Sequence, residues 1–247
     1  MAFTLNNSEA ITFAQDEVSV NVARGNCSHI GMNESEILRI VADAVDQYWN
    51  RVPTSRLKLR AGSVLDLSTT DYSNGSICLS GTACEPNPDL AVSNGVLITC
   101  NHLAANFSSS GVLAVTVPNN ISGKTIIGSL IMINDQSANP FVSKSRDEKI
   151  AIIAHELGHS FGLGHSKVTD SLMYYSTVKM RTSLGYDDFR GITYLYPKEQ
   201  PITCGTIQDQ SLGPNNLLLN WLGLLIGLFI MIFLNYQLRY LKLRPRF

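Results

Sequence analysis

Residues 155–165 of this chain read HELGHSFGLGH, and this stretch decides how the surrounding chain must fold. His155 and His159 are four positions apart, so on a helix both imidazoles project from one face and reach a single metal ion. Glu156 lies beside them on the same side, where a carboxylate can take a proton from water. The stretch therefore predicts a helix that carries a metal site and a base.

The third predicted metal ligand, His165, can reach the metal only if the chain turns back at a glycine. A straight helix would carry His165 away from the metal, whereas Gly162 can adopt positive φ and turn the chain back. Three neutral imidazoles leave one coordination position open for water, as in catalytic rather than closed structural zinc sites. Imidazole ligands also suit zinc better than calcium or magnesium. The sequence thus predicts one catalytic zinc, bound by His155, His159 and His165.

The helix that carries these residues should begin after Ser145 and end near Gly162. Ser145 and Glu148 form a capping-box pattern. At about 100° per residue, an apolar stripe falls on the face roughly opposite the histidines. Its members are Ile150, Ala154, Leu157 and Phe161. Such a helix buries this stripe in the core and presents the histidines to a cleft.

Hydrophobic patterns elsewhere predict one mixed α+β domain over residues 1–199. Asn33 and Glu36 form a second capping box, which an amphipathic helix follows over about 34–50. Residues 68–90, rich in small polar residues, are typical of a long loop. Strands are predicted around 18–22, 57–59, 95–100, 112–117 and 125–133.

The C-terminal part of the chain has a different composition. Residues 217–236 are largely apolar and about long enough to cross a bilayer, and no charged residue occurs between Asp209 and Arg239. We expect a linker over 200–216, one transmembrane helix over 217–236 and, by the positive-inside rule, a basic cytoplasmic tail over 237–247. The domain would then lie outside the cytoplasm. The N-terminus shows no signal-peptide pattern, so this topology requires a removed leader, which the basic tail favours over tail-first insertion.

Net charge argues against nucleic-acid binding, and the cysteines are compatible with two disulfide bridges. The formal net charge of −1 provides no basic field for nucleic acid. Cys78 and Cys84 flank a short loop that a disulfide could close, and Cys27 and Cys100 could form a second bridge, which leaves Cys204. Five cysteines allow many other pairings, and free buried thiols are the alternative.

The stretch HELGHSFGLGHS resembles the HExxHxxGxxH signature of metzincin zinc peptidases, and residues 171–174, SLMY, resemble their Met-containing turn. Ser166 and the segment 187–196 are similar to the matrixin, or matrix metalloprotease-like, branch. The resemblance covers roughly 145–197. It implies a mixed twisted sheet packed on long helices, with Met173 as the hydrophobic floor beneath the metal and the residues after it walling the substrate pocket.

The resemblance also implies a function. It implies an endopeptidase that hydrolyses protein or peptide substrates, in which zinc activates water and Glu156 is the general base. The substrate would lie along an exposed edge strand within 112–135. The alternative is a membrane-anchored adhesion or scaffold protein with structural zinc, but the presence of Glu156 favours the enzyme.

Several residues depart from the family pattern. No cysteine-switch sequence of the PRCGxPD type is present. His29 and His102 are the only histidines before His155, so the structural-zinc pattern of vertebrate matrixins is missing. Calcium is compatible with the resemblance, but its ligands are not predictable, and Asp135 is interpreted as a turn residue. Tyr175 replaces a common proline and is expected either to stabilise an oxyanion, as in related branches, or to pack.

Overall fold

The computed structural model describes residues 3–25, 27–77, 87–175 and 181–199. The strands in these ranges are β1 (Thr12–Phe13), β2 (Glu17–Ala23), β3 (Lys58–Leu65), β4 (Gly95–Asn101), β5 (Ala114–Ser122) and β6 (Thr125–Asn134). The α-helices are α1 (Glu34–Gln47), α2 (Arg146–Ser160) and α3 (Tyr186–Leu195). Short 3-10 turns lie at Trp49–Arg51, Pro88–Leu90, Ala104–Asn106 and Pro140–Ser143.

The strands form one mixed sheet. β3, β2, β4 and β6 lie side by side in that order and are parallel, and β1 pairs in parallel with the first residues of β6. β5 pairs with β6 in the antiparallel direction. Among the described strands β5 has no other partner, so it forms an antiparallel edge. This arrangement confirms the mixed sheet that was expected.

Two helices cover one face of the sheet. α1 begins at a complete capping box between Asn33 and Glu36, and its buried stripe packs into the core that it shares with α2. Trp49 follows α1, and its indole Nε1 donates to the carbonyl of Ala154 over 2.8 Å. Its ring also meets the ring of Phe161 edge-on, with centroids 4.7 Å apart. Trp49 therefore fixes α2 against α1 at the end where the histidines lie.

Loops rather than helices cover the opposite face. Side chains alternate along the central strands, so Ile98 and Ile131 enter the helix-side core, whereas Leu97 and Leu130 enter a second core. That second core is completed by Tyr72 and by other loop residues on either side of the undescribed stretch 78–86. Because both faces are covered, β4 is buried at every position.

The predicted helix starts agree with the structure, but the ends differ. Both capping boxes lie where the sequence placed them, whereas α1 ends at Gln47 and α2 at Ser160, each slightly early. The residues after α1 continue as a 3-10 turn, and the chain after α2 turns at Gly162. β1 was not predicted because its two residues carry no periodic signal.

A disulfide joins Cys27 to Cys100, with Cα atoms 5.3 Å apart. It ties the segment after β2 to the end of β4 and confirms one of the two bridges expected from the sequence. Cys78, Cys84 and Cys204 lie outside the described residues, so the other pairing stays a prediction.

In the described part of the chain, no helix is both long and apolar enough to cross a membrane. The predicted span at 217–236, with its linker and tail, lies outside that part. The predicted membrane topology therefore stays a prediction.

Replacing Cys27 and Cys100 together by alanine should lower the free energy of unfolding by about 4 kcal/mol. The bridge closes a loop of 73 residues, and opening it restores conformational entropy to the unfolded chain. Urea denaturation of the two proteins measures the difference. Reductant should destabilise the wild-type protein by a similar amount and the variant much less; equal midpoints for both proteins without reductant would contradict the prediction.

Candidate active site

Three histidines converge at the end of α2. The potential ligand nitrogens of His155, His159 and His165 all lie within 4.8 Å of one another. The Nε2 atoms of His155 and His159 are 3.1 Å apart. Two ligands of a tetrahedral zinc with bonds of about 2.0–2.1 Å are separated by about 3.3 Å. The spacing of the imidazoles therefore fits a shared metal ion.

Two backbone carbonyl groups set the orientation of the helical histidines. His155 Nδ1 donates to the carbonyl of Leu172 over 2.7 Å, and His159 Nδ1 donates to the carbonyl of Leu163 over 2.8 Å. Because a carbonyl oxygen only accepts, each Nδ1 carries the proton and each Nε2 presents a lone pair. Two lone pairs that face each other repel unless a cation lies between them. This donor set fits a metal on chemical grounds.

The electrostatics of the site favour the ligating form of the histidines. Burial lowers the pKa of His159 well below its ordinary value, and the neighbouring charges of His155 and His165 lower it further. Burial and His155, in that order, also lower the pKa of His165. Neutral imidazole is the form that binds metal, so the site is ready to bind at neutral pH.

Gly162 makes the turn that returns His165. Its φ is 113°, a backbone conformation that side chains with a Cβ rarely adopt. A Cβ at this position would also lie 2.7 Å from the carbonyl oxygen of Ile11. The turn places the Leu163 carbonyl where it accepts the proton of His159.

Met173 lies beneath α2. Its side chain is buried and packs against Gly158 so closely that a Cβ on Gly158 would overlap the sulfur. Gly158 precedes His159 in α2, so the thioether fills the space directly under the histidine-bearing turn. A larger residue at either position would displace that turn.

Asp188, in the first turn of α3, holds the Met-containing segment in place. Its buried carboxylate accepts from the backbone N–H of Leu172 over 2.6 Å and of Met173 over 3.1 Å, and from the hydroxyl of Ser171. Burial raises the pKa of Asp188, and these hydrogen bonds oppose the rise. By fixing Leu172, Asp188 also fixes the carbonyl that orients His155.

Glu156 faces the edge strand. It is 7% exposed, and its Oε2 accepts from the hydroxyl of Thr116 on β5 over 2.5 Å. Burial raises the pKa of Glu156, whereas His155 and the Thr116 hydrogen bond lower it. Sequence analysis did not identify Thr116, because nothing distinguishes it from other polar residues of an amphipathic strand.

A pocket of about 360 Å³ opens beside His155 and Glu156. Tyr175 lines this pocket and a second concavity next to His165. Its side chain is 62% exposed, so it does not pack into the core. The other lining residues are Gly111, Leu113, Ala114, Pro140, Lys144, Glu148, Ile152 and Tyr174.

The structure thus brings all the predicted site residues to one place and adds several that sequence analysis missed. Asp187 holds Ser166, which follows the third histidine, by accepting from its hydroxyl over 2.6 Å. The sequence had indicated Asp187 and Asp188 only through family resemblance, without a role. The only local signal for such a role is that two acidic residues open a helix.

The interpretation of Asp135 as a turn residue was wrong. Its side chain is fully buried, and its Oδ1 accepts from the backbone N–H groups of His29 and Ile30. The imidazoles of His29 and His102 lie next to it. Sequence reasoning could not bring these residues together, because they follow three different strands.

The fold and the site define a class of protein. Three imidazoles on a helix and its return turn, a glutamate beside them and a methionine turn below are the features of a metzincin zinc metallopeptidase domain. Residues 101–197 match the family model described as Matrixin.

Known relatives agree with this class. The chain is 48% identical over 48 residues to metalloendoproteinase 2-MMP of Arabidopsis thaliana, which is 19% of this chain and 13% of that protein. It is 51% identical over 51 residues to stromelysin-1 of Equus caballus, covering 19% and 11%. It is 43% identical over 53 residues to matrix metalloproteinase-19 of Homo sapiens, covering 21% and 10%. The part of the chain that carries the site is therefore similar to matrixin domains, and the matches span only a small fraction of each relative.

Replacing Asp188 by asparagine should lower the free energy of unfolding by about 3 kcal/mol, because an amide NH₂ would face backbone N–H donors in a buried site. Zinc affinity should fall by about 10–100-fold, since the Leu172 carbonyl would no longer be held against His155. Chemical denaturation and competition with a chromogenic chelator measure the two effects. The exposed Asp170→Asn is the matched control, and unchanged stability and affinity in Asp188→Asn would disprove the anchoring role.

Proposed function

We propose that this protein is a zinc-dependent endopeptidase that cleaves peptide bonds in proteins. The observation that carries the proposal is the pair of carbonyl-oriented imidazoles, His155 and His159, together with Glu156, which lines the adjacent pocket. His165 completes the ligand set. The resemblance to matrixins supports the same activity.

The residues of the chain divide the chemistry between them. His155, His159 and His165 would hold one zinc ion, which when bound polarises the scissile carbonyl and acidifies water. Glu156 takes a proton from the attacking water and passes it to the leaving amine. The hydroxyl of Thr116 holds the carboxylate of Glu156 in position for both transfers.

The substrate would bind along β5. This strand is an edge among the described strands, and its free side can pair with an extended peptide by main-chain hydrogen bonds. Thr116 lies on it, so a peptide paired there passes the base. The pocket beside Glu156 would receive the side chain that follows the cut. Leu113 and Ile152 give it apolar surface, and the two charged lining residues, Lys144 and Glu148, pair with each other, so we propose that it favours an apolar side chain.

Replacing Glu156 by glutamine should reduce cleavage of casein by about 10²–10⁴-fold, because the amide cannot accept the proton. Zinc content should stay the same, since Glu156 is not a ligand. The assay uses the purified full chain with and without a zinc chelator. The surface variant Glu9→Gln serves as control and should keep full activity.

This experiment also separates the enzyme from the non-catalytic alternative. Chelator-sensitive cleavage that disappears in Glu156→Gln supports the peptidase. Full activity of Glu156→Gln with zinc still bound would overturn the proposed role of the glutamate. Bound zinc with no cleavage of casein or of a peptide library would instead favour a membrane-anchored scaffold with structural zinc.

Tyr175 is proposed to donate to the oxyanion that forms on the scissile carbonyl. Its exposed hydroxyl-bearing side chain lies between the pocket and the concavity at His165. Tyr175→Phe should lower kcat about 10²-fold with little change in KM, because the donor acts on charge that develops in the transition state. Steady-state kinetics on a peptide substrate measures this, with Tyr194→Phe, an exposed tyrosine of α3 outside the pocket, as the matched control. Equal kcat values for wild type and Tyr175→Phe would rule the role out.

Anchoring to a membrane belongs to the same proposal. The support is the apolar composition of 217–236 and the basic residues of 237–247, which would place the domain outside the cytoplasm. Peptide cleavage would then take place at a membrane surface. Alkaline extraction of membranes from expressing cells tests the anchor, because an integral protein stays in the pellet and a soluble one is released.

A further inference from the structure

A second cluster of potential metal ligands lies outside the active site. Nitrogens of His29 and His102 and a carboxylate oxygen of Asp135 all lie within 4.8 Å of one another. None of these residues lines the pocket beside Glu156. We infer that His29, His102 and Asp135 form a second zinc site, which ties together three loops at one edge of the sheet.

The parallel sheet brings the three residues together. β4 and β6 are neighbours, with Asn101 opposite Asn134, so His102 and Asp135 each follow the end of a strand at the same level. His29 lies in the segment after β2, which is the other neighbour of β4. The carboxyl ends of parallel strands meet at one edge of a sheet, and residues distant in sequence therefore meet there. The Cys27–Cys100 disulfide holds two of these segments together two residues away from each histidine.

Asp135 is already fixed in the orientation that a ligand needs. Its side chain is completely buried, and Oδ1 accepts from the backbone N–H of His29 over 2.9 Å and of Ile30 over 2.8 Å. These bonds occupy one carboxylate oxygen and leave Oδ2 to face the two imidazoles. A buried carboxylate held in this way pays little entropy when it binds a metal.

The distances from Asp135 Oδ2 to the two imidazoles fit ligands of one metal ion better than direct hydrogen-bonded ion pairs. Oδ2 lies 3.5 Å from His29 Nδ1 and 3.3 Å from His102 Nδ1. His102 Nδ1 also lies 3.3 Å from the backbone carbonyl of Asp135, and it loses its proton and this contact when it binds a metal ion. A charge-assisted hydrogen bond between these groups would be about 2.8 Å long. Two ligands of one tetrahedral zinc are separated by about 3.3 Å, as calculated from its bond lengths. The cluster is therefore spaced for a metal ion between its members.

The chemistry of the donors selects the metal. Two neutral imidazoles with one carboxylate suit zinc, whereas calcium and magnesium prefer oxygen ligands alone. The side chains of His29 and His102 are 46% and 25% exposed, so solvent can supply a fourth ligand. The hydroxyl of Ser28 lies 3.4 Å from Oδ2 and does not need to coordinate. The cluster contains no further acid or base, so its role is to stabilise the fold.

The test is the zinc content of the purified full chain and of matched variants. The wild-type protein should bind two zinc ions per chain. His29→Gln and His102→Gln should each bind one and keep chelator-sensitive peptidase activity, and Ser28→Ala should still bind two. The double variant His155→Gln/His159→Gln should also keep one zinc, and cobalt substituted into it should give the visible absorption of a site with nitrogen and oxygen ligands.

The double variant keeps the inference falsifiable if the loop variants fail to fold. Two zinc ions in the wild type, with one retained in the double variant, would support the second site whether or not peptidase activity is found. One zinc in the wild type, or none in a double variant whose circular dichroism spectrum is native, would overturn it. In that case Asp135 would only hydrogen-bond the backbone and the two histidines.

Discussion

The active site depends on two hydrogen bonds from imidazole to backbone carbonyl. A neutral imidazole binds a metal ion through one ring nitrogen when the other nitrogen carries the proton. The carbonyls of Leu163 and Leu172 keep the proton on Nδ1 of His159 and of His155, which leaves Nε2 to bind. Neither carbonyl is on α2. The chain must therefore leave the helix and return beneath it, so that the carbonyls of Leu163 and Leu172 each lie against an imidazole.

Each of these positions is fixed by a different physical means. Gly162 supplies a backbone conformation that brings Leu163 back towards the helix, while Asp188 accepts the backbone N–H of Leu172 in a buried site. Met173 fills the space under the helix that Gly158 leaves open. Glycine freedom, a buried carboxylate and close packing thus act together on the segment that returns beneath α2.

The same sheet positions residues of the candidate active site and of the cluster formed by His29, His102 and Asp135. β5 places Thr116 against Glu156. His102 and Asp135 lie just beyond the carboxyl ends of the parallel strands β4 and β6. The buried helix-side core, into which Trp49 packs, keeps α2 in register with this sheet. Because a close-packed core deforms little, it holds α2 and the strands, and the side chains that they carry, at fixed distances from one another.

The sequence by itself indicated the cluster of three histidines, both capped helices, most strands and the mixed sheet, because these features depend on spacing within a short stretch of chain. Only the tertiary structure decided the rest. Thr116, the anchoring role of Asp188 and the burial of Asp135 depend on contacts between segments that are far apart in sequence, and such contacts leave no local periodicity. His29 and His102 look unrelated along the chain, and they meet Asp135 only because three parallel strands end side by side.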